Sequence, residues 1–540
     1  DGIADIYDPD GDFDGDGIEN RYDENWASNI RESNPLFETS NGLGYVDLGQ
    51  LLNILRNNEN KDEIKNTLYH KNKSNYEEGM NKLNNTLKIS QNETYNKENI
   101  VDNSYIDKTK FEGKLKKLGE LHLKNYNSYT TTVDGENRYI LYNDNDNVIK
   151  TSQTLNSSKE KLIIVNKGKI ETNEYKDKTY KGQTIVKGKD FEAYNYGEID
   201  VKAGANKSLY MNGQLGSALL KNRLYNYGDI KVDGGEKISY EVIGQGIRIS
   251  EGDISLDNRI INYGYITSVA GGNAQVISGQ GILGKPGMLT GGEIYNYGVI
   301  NTKSDAIQGL IKMYGQRASG ATDAKVPDLR YSLYNYGDIK LRYSNKSNNI
   351  SISMRGQDVS GMEGHTASKI YNYGNIDIKK SSPSSVLASL EGQSAALDNR
   401  GVNSDSYKGY GEIYNYGNIN ISSTGNTDSA GQRSIIKAGK NIERHNIYNY
   451  GLINIVSNGS IHGQIIQGIG EIEVPSLVYN YGIISLSGKN TKGQAGLGEK
   501  AAIHNYGQIR VKGETYNTAG MEISGGGKGF NYGIIEVDNK

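Results

Sequence analysis

The sequence predicts a mainly β chain whose larger part is a parallel β-helix, and two recurrences carry that expectation. The first is an apolar or aromatic lead-in followed by Asn-Tyr-Gly, any residue and Ile. Its asparagines are Asn195, Asn226, Asn262, Asn296, Asn335, Asn372, Asn415, Asn449, Asn480, Asn505 and Asn531, and a degenerate first copy begins at Asn166. The second is Gly-Gln, found once in nearly every unit from Gly182 to Gly493, with Gly520-Met521 in the final one. Unit lengths run from 25 to 43 residues, so the corners are fixed and the segments between them are free. Helical repeats do not fit, because after each Asn-Tyr-Gly the chain alternates with period two: Ile339-Lys-Leu341, Ile376-Asp-Ile378, Ile509-Arg-Val511. Propeller units are longer and more even, and the leucine spacing of a horseshoe is missing. A β-helix of about twelve coils over residues 162–537 meets both constraints.

Parity then assigns faces. Leu333, Asn335, Ile339 and Leu341 fall on one side, Tyr334 and Tyr336 on the other. Asparagines stacked at a bend can hydrogen-bond to one another from coil to coil and satisfy buried amides. Gly337 and its equivalents are expected to permit the bend. Nineteen of the 41 tyrosines sit in these motifs, against 5 Phe and 1 Trp in the whole chain. They are expected as two outward, exposed ladders, structural in themselves or also a binding face. The longest excursions, in the units beginning at Asn296, Asn335 and Asn372 and in Gly401–Gly411, are expected to project as loops of the kind that form binding surfaces in repeat proteins, with Arg317–Asp328 and Ala396–Gly409 the two segments to shorten in a test.

Ahead of the repeats, residues 1–25 read as a calcium-binding repeat truncated at its start. Counting from Asp12, carboxylates fall at loop positions 1, 3 and 5 (Asp12, Asp14, Asp16), Gly17 is at position 6, the Ile18 carbonyl at 7 and Asp23 at 12. Asp1-Gly-Ile-Ala-Asp5-Ile-Tyr-Asp8 matches Asp16-Gly-Ile-Glu-Asn-Arg-Tyr-Asp23, so Asp5 or Asp8 can join the ligands from the earlier loop. Carboxylates this close repel one another without a cation; a merely solvated acidic linker is the alternative. Residues 45–125 read as a small helical cap, from the spacing of Val46, Leu48, Leu51, Leu52 and Leu55 and of later leucines, or, the apolar stripe being thin, as a disordered spacer.

The acidic loops resemble thrombospondin type 3 and dockerin-like calcium repeats, in which calcium is structural. The strand–Asn–x–Gly–x–Ile unit resembles the passenger of a large type V autotransporter adhesin, in a Lys-, Asn-, Ile- and Tyr-rich style similar to fusobacterial members. That resemblance implies a right-handed coil, an extracellular location on the outer membrane of a Gram-negative bacterium, and a C-terminal β-barrel outside this chain. It also implies a host-cell or bacterial surface protein or glycan as partner. The last coil shows no evident cap, so the natural polypeptide is expected to continue beyond Lys540.

Other classes find less support. Net charge is −3 and no basic aromatic patch stands out, which excludes a nucleic-acid binder as a whole-chain reading. No 18-residue apolar stretch spans a bilayer. Zero Cys rules out thiolate chemistry and disulfides. β-Helices also carry polysaccharide lyases and hydrolases, but the histidines (His70, His122, His365, His445, His462, His504) show no catalytic spacing. His504 reads as a substitution in a tyrosine column, and His365 and His462 as surface residues. Neither Glu471 and Glu473 nor Asp323 and Asp328 recur across coils. The expectation is an adhesin, not an enzyme, with an inert stalk or a polysaccharide-degrading enzyme as alternatives.

Overall fold

The computed structural model describes residues 127–539, apart from several stretches between strands, among them 173–178, 249–253, 322–329, 398–408 and 469–475. The expected calcium repeat and helical cap lie outside the described residues. What is described is a parallel β-helix. Each coil lays down three strands, and the coils stack into sheets of 14, 12 and 13 strands. In a central coil these are Arg330–Asn335, Asp338–Ser344 and Ile350–Met362, and each pairs in parallel with its counterpart in the next coil: Ala367–Asn372, Asn375–Ser381 and Leu387–Leu397. We name the three the asparagine, isoleucine and glutamine sheets.

Asn335 pairs with Asn372, as the repeat predicts. The solenoid nevertheless begins a coil before residue 162, because Glu136–Asn143 already pairs in parallel with Lys161–Asn166. Asn143 is followed by Asp-Asn-Asp and not by Tyr-Gly, which hid this rung in the sequence. Ahead of it Asn127–Val133 runs antiparallel to Glu136–Asn143 and forms the first strand of the asparagine sheet. Thirteen asparagine rungs at one strand spacing each give a stack about 58 Å long.

Two apolar compartments fill the interior. One lies between the isoleucine sheet and the first half of the glutamine sheet, and holds Ile339, Leu341, Ile376, Ile378, Met313 and Met354. The other lies between the asparagine sheet and the second half of the glutamine sheet, with Leu333, Ile370, Ile413, Ala318, Val359 and Ala395. Each fully buried Ile or Leu contributes about 1.5–3 kcal/mol. Between the compartments run two columns of amides.

Along one column each Asn Nδ2 donates to Oδ1 of the Asn in the following coil. Twelve such bonds of 2.7–2.9 Å join Asn143 to Asn531. Along the other, each Gln Nε2 donates to Oε1 of the Gln in the preceding coil, through ten bonds of 2.7–3.1 Å from Gln494 back to Gln153. The remaining N–H of Gln316 reaches the Tyr334 carbonyl, on the strand that follows, at 3.1 Å. Backbone carbonyls therefore fix which end of each amide is nitrogen, since a flip would set oxygen against oxygen.

The glycine of Asn-Tyr-Gly has a different reason from the one expected. A Cβ on Gly337 would lie 2.0 Å from the Gly298 carbonyl oxygen of the coil before. The turn stacks that tightly because the Asn296 carbonyl accepts from both Tyr336 and Gly337, at 2.7 and 3.0 Å. Close approach, not bending, excludes a side chain here.

The tyrosine columns also depart from expectation. Parity does turn them away from the asparagines, and rings one coil apart stack at 4.7–5.2 Å. They are not exposed: Tyr225, Tyr227, Tyr373 and Tyr416 are at most 1% accessible. Stacking at strand spacing hides both faces of each ring, and the second column, 5.9–6.5 Å away, hides one edge. Only in the last coil do Phe530 and Tyr532 open to 37% and 54%. An open aromatic face for sugar stacking along the rod is therefore ruled out for the buried coils.

Candidate functional site

The site is built on the Gly-Gln bend of the glutamine sheet. A Cβ on Gly315 would sit 2.3 Å from Ile339 Cγ2, so only glycine lets the strand press in against the opposite wall. Met313 and Ala318 face different compartments across this point, and Gln316 also turns inward. Two consecutive inward residues leave positions 314 and 317 both facing out, where a flat strand would place them on opposite sides. The outcome is a crease along the outer wall, in which the residue before each Gly-Gln glycine meets the one two places after it. Arg317 lies over the Tyr314 ring at 4.6 Å. One coil on, Arg355 Nη1 meets Asp358 Oδ1 at 2.8 Å.

Between coils the crease is linked by ion pairs. Arg355 Nε reaches Glu391 Oε2 at 2.9 Å, Arg433 Nε reaches Glu391 Oε1 at 3.3 Å, and Arg433 Nη2 reaches Asp428 Oδ2 at 2.8 Å. Ser389 Oγ donates to Glu391 Oε1 at 3.0 Å. Burial alone would raise the Glu391 pKa, but Arg355 and Arg433 outweigh it and hold the carboxyl below its usual value. Burial likewise opposes the charge on Arg355, and Glu391 and Asp358 overcome it, so the guanidinium is held charged more firmly than usual. Lys312, one coil earlier, is pushed the other way, by burial and then by the like charges of Arg317 and Arg355. Further along, Lys492 pairs with Glu522 at 3.3 Å.

Beside the crease runs an open cavity of about 570 Å³. Its wall mixes the polar Ser353, Ser389, Asp428 and Asn490 with the apolar Leu310 and Ile352. Ser353, Ser389, Asp428, Ser460 and Asn490 form one outward row, each paired with the next. Hydroxyls, amides and flanking charges of this kind suit a polar ligand laid along the rod.

All eleven asparagines predicted as a ladder are brought into one column, and Asn143 and Asn166 extend it. The glutamine column was not anticipated, although its Gly-Gln recurrence was visible. Asp5, Asp8, Asp12, Asp14, Asp16, Ile18 and Asp23 lie outside the described residues, as do Asp323, Asp328, Glu471, Glu473, His70, His122 and His365. Of the two excursions, 317–321 and 396–397 are strand, and most of the remainder lies outside the described residues. His504 does stand in the tyrosine column, stacked on Tyr479 at 4.7 Å and Phe530 at 4.8 Å. His462 is not a free surface residue. It lines the crease, and burial and then Arg433 lower its pKa to about 4.

Among the described residues one Ser–His contact exists, Ser434 Oγ with His445 Nδ1. Both side chains are sealed in the core at 0% accessibility, and burial lowers the His445 pKa to about 3. A nucleophile there has no route to substrate. No family model, curated protein or solved structure matches the chain. Among the described residues no helix is long and apolar enough to cross a membrane.

Proposed function

We propose that this chain is the ligand-binding portion of a bacterial cell-surface adhesin, carried as the passenger of an autotransporter and engaging a surface protein or glycan. The observation that carries the reading is the open polar groove beside an ion-paired crease on the outer wall of the rod. The absence of any match means that the autotransporter assignment rests on the repeat itself. Calcium bound by the acidic residues near the N-terminus is part of the same proposal, as a brace and not as a reactant.

The test is retention of the purified chain on host cells, on bacterial cells and on a glycan array, with wild type compared with Ser389→Trp and Ser460→Trp, which fill the groove. Loss of retention in folded variants supports the reading. No retention of the wild type on any surface favours a stalk, and release of reducing ends from polysaccharides favours an enzyme.

A further inference from the structure

We propose that Lys312 and Arg317, backed by Arg355, form an anion-binding site that takes the carboxylate or sulfate groups of an acidic polysaccharide lying in the adjoining groove. This rests on the binding reading above and specifies its ligand class. The charges along the crease are unevenly matched. Arg355 is bridged by Asp358 and Glu391, Arg433 by Glu391 and Asp428, Lys492 by Glu522 and Arg248 by Glu241. Among the described residues Lys312 and Arg317 make no ion pair; Asp358, opposite Arg317 in the next coil, is turned to Arg355 instead. Arg317 and Arg355 both disfavour the charge on Lys312, and an arriving anion relieves that repulsion.

Geometry favours Arg317 as the principal contact. Its guanidinium rests on the Tyr314 ring at 4.6 Å, which holds the plane while leaving edge N–H groups to donate in a fork to a planar carboxylate or a sulfate. Lys312 and Ser353 occupy one outward row and pair across adjacent coils. The row continues through Ser389 and Asp428 to Ser460 and Asn490, so the cationic site lies at one end of the polar groove. A chain anchored at the cations would run along the rod over hydroxyl and amide side chains for about 24 Å, five strand spacings. A neutral glycan would leave the cations unmatched. A nucleic acid fits less well, because Asp358, Glu391 and Asp428 interrupt the positive charge that a phosphate backbone tracks.

The experiment is calorimetric titration of the whole chain with polygalacturonate oligomers, dextran sulfate oligomers, neutral dextran and inorganic sulfate. Wild type is compared with Lys312→Gln/Arg317→Gln, with circular dichroism and thermal unfolding as the control for folding. The expected result is binding of one or both acidic oligomers, weakened about tenfold or more in the double variant and by added salt. Which of the two binds tells carboxylate from sulfate as the recognised group. Arg317→Lys, which keeps the charge and loses the fork, is expected to fall between wild type and the double variant. Equal binding by wild type and a folded double variant overturns the proposal, as does neutral dextran binding as well as the acidic oligomers, or inorganic sulfate binding as tightly as the chains. If the wild type ignores every probe but is retained on cells, this inference fails and the adhesin reading stands. If it is retained nowhere, both fail.

Discussion

Gln316 donates its amide hydrogen backwards to Gln280, whereas Asn335, on the strand that follows it, donates forwards to Asn372. The two columns lie side by side at the waist of every coil, and each is polar from end to end in the opposite sense. Aligned amides reinforce one another within a column. Set against each other, two such columns leave little net dipole along the rod.

Replacing a central rung tests the asparagine column. In Asn335→Leu, Asn372 loses its donor and Asn296 loses its side-chain acceptor, both in the buried waist. The expected loss is about 2–4 kcal/mol, read as faster amide exchange in the neighbouring coils. Asn531→Leu, at an exposed rung, is expected to cost far less. Equal effects at the two sites would mean that the column contributes nothing beyond local geometry.

Steric closeness at the turns predicts a contrast between two glycines. Gly337→Ala drives a methyl into the Gly298 carbonyl and should destabilise by at least about 2–3 kcal/mol, whereas Gly281→Ala, whose nearest neighbour would be 3.7 Å away, should be close to neutral. Melting temperatures of the two variants decide it. A tolerated Gly337→Ala would show that the turns can part.

Acid should weaken the fold from about pH 6.5 downwards. Burial holds His445 at a pKa of about 3, so between its unfolded and folded values the unfolded chain binds more protons and stability falls as pH falls. At pH 4.5 the loss from this residue alone is about 2–3 kcal/mol relative to pH 7. His445→Leu should flatten the slope by close to one proton in denaturation curves taken between pH 6 and 4.5. An unchanged slope would place the acid sensitivity elsewhere.

Calcium is the remaining prediction. Titration of the whole chain with calcium should show uptake that Asp14→Asn/Asp16→Asn abolishes, because loop positions 3 and 5 lose their charge. Equal uptake by the variant would move the site away from residues 12–23.

The sequence carried the coil in plain view, because Asn-Tyr-Gly marks one corner and the alternation after it marks a strand. What it hid has physical causes. Asn143 lacks the Tyr-Gly that made later rungs visible, yet its amide bonds to Asn166 at 2.7 Å all the same. Gly-Gln was legible as a corner, but glutamine as a second amide column depends on both residues turning inward, which no period of two reports. The crease was missed for a related reason. Tyr314 with Arg317, Arg355 with Asp358 and Glu391 with Ser394 are three apart, and three apart in a strand means opposite faces. Aligning each coil on its Gly-Gln and comparing the residue before the glycine with the one two after it would have shown the charges gathering. Tyrosine exposure failed because parity tells which way a side chain points, not how much of it its neighbours cover.

The near-identity of the rungs has one more outcome. An asparagine column fixes where in a coil each residue sits, but it does not count coils: Asn335 would bond to Asn415 as readily as to Asn372. A folding chain that skips a turn, or borrows one from a neighbouring molecule, would find every amide satisfied. Coil number must be written in the rungs that differ. His504 and Phe530 interrupt the tyrosines, Met521 ends the glutamines beside a Gln494 oxygen left without a partner, and the crease has a different pair of side chains at every level. These irregular positions serve as the addresses of an otherwise unnumbered stack.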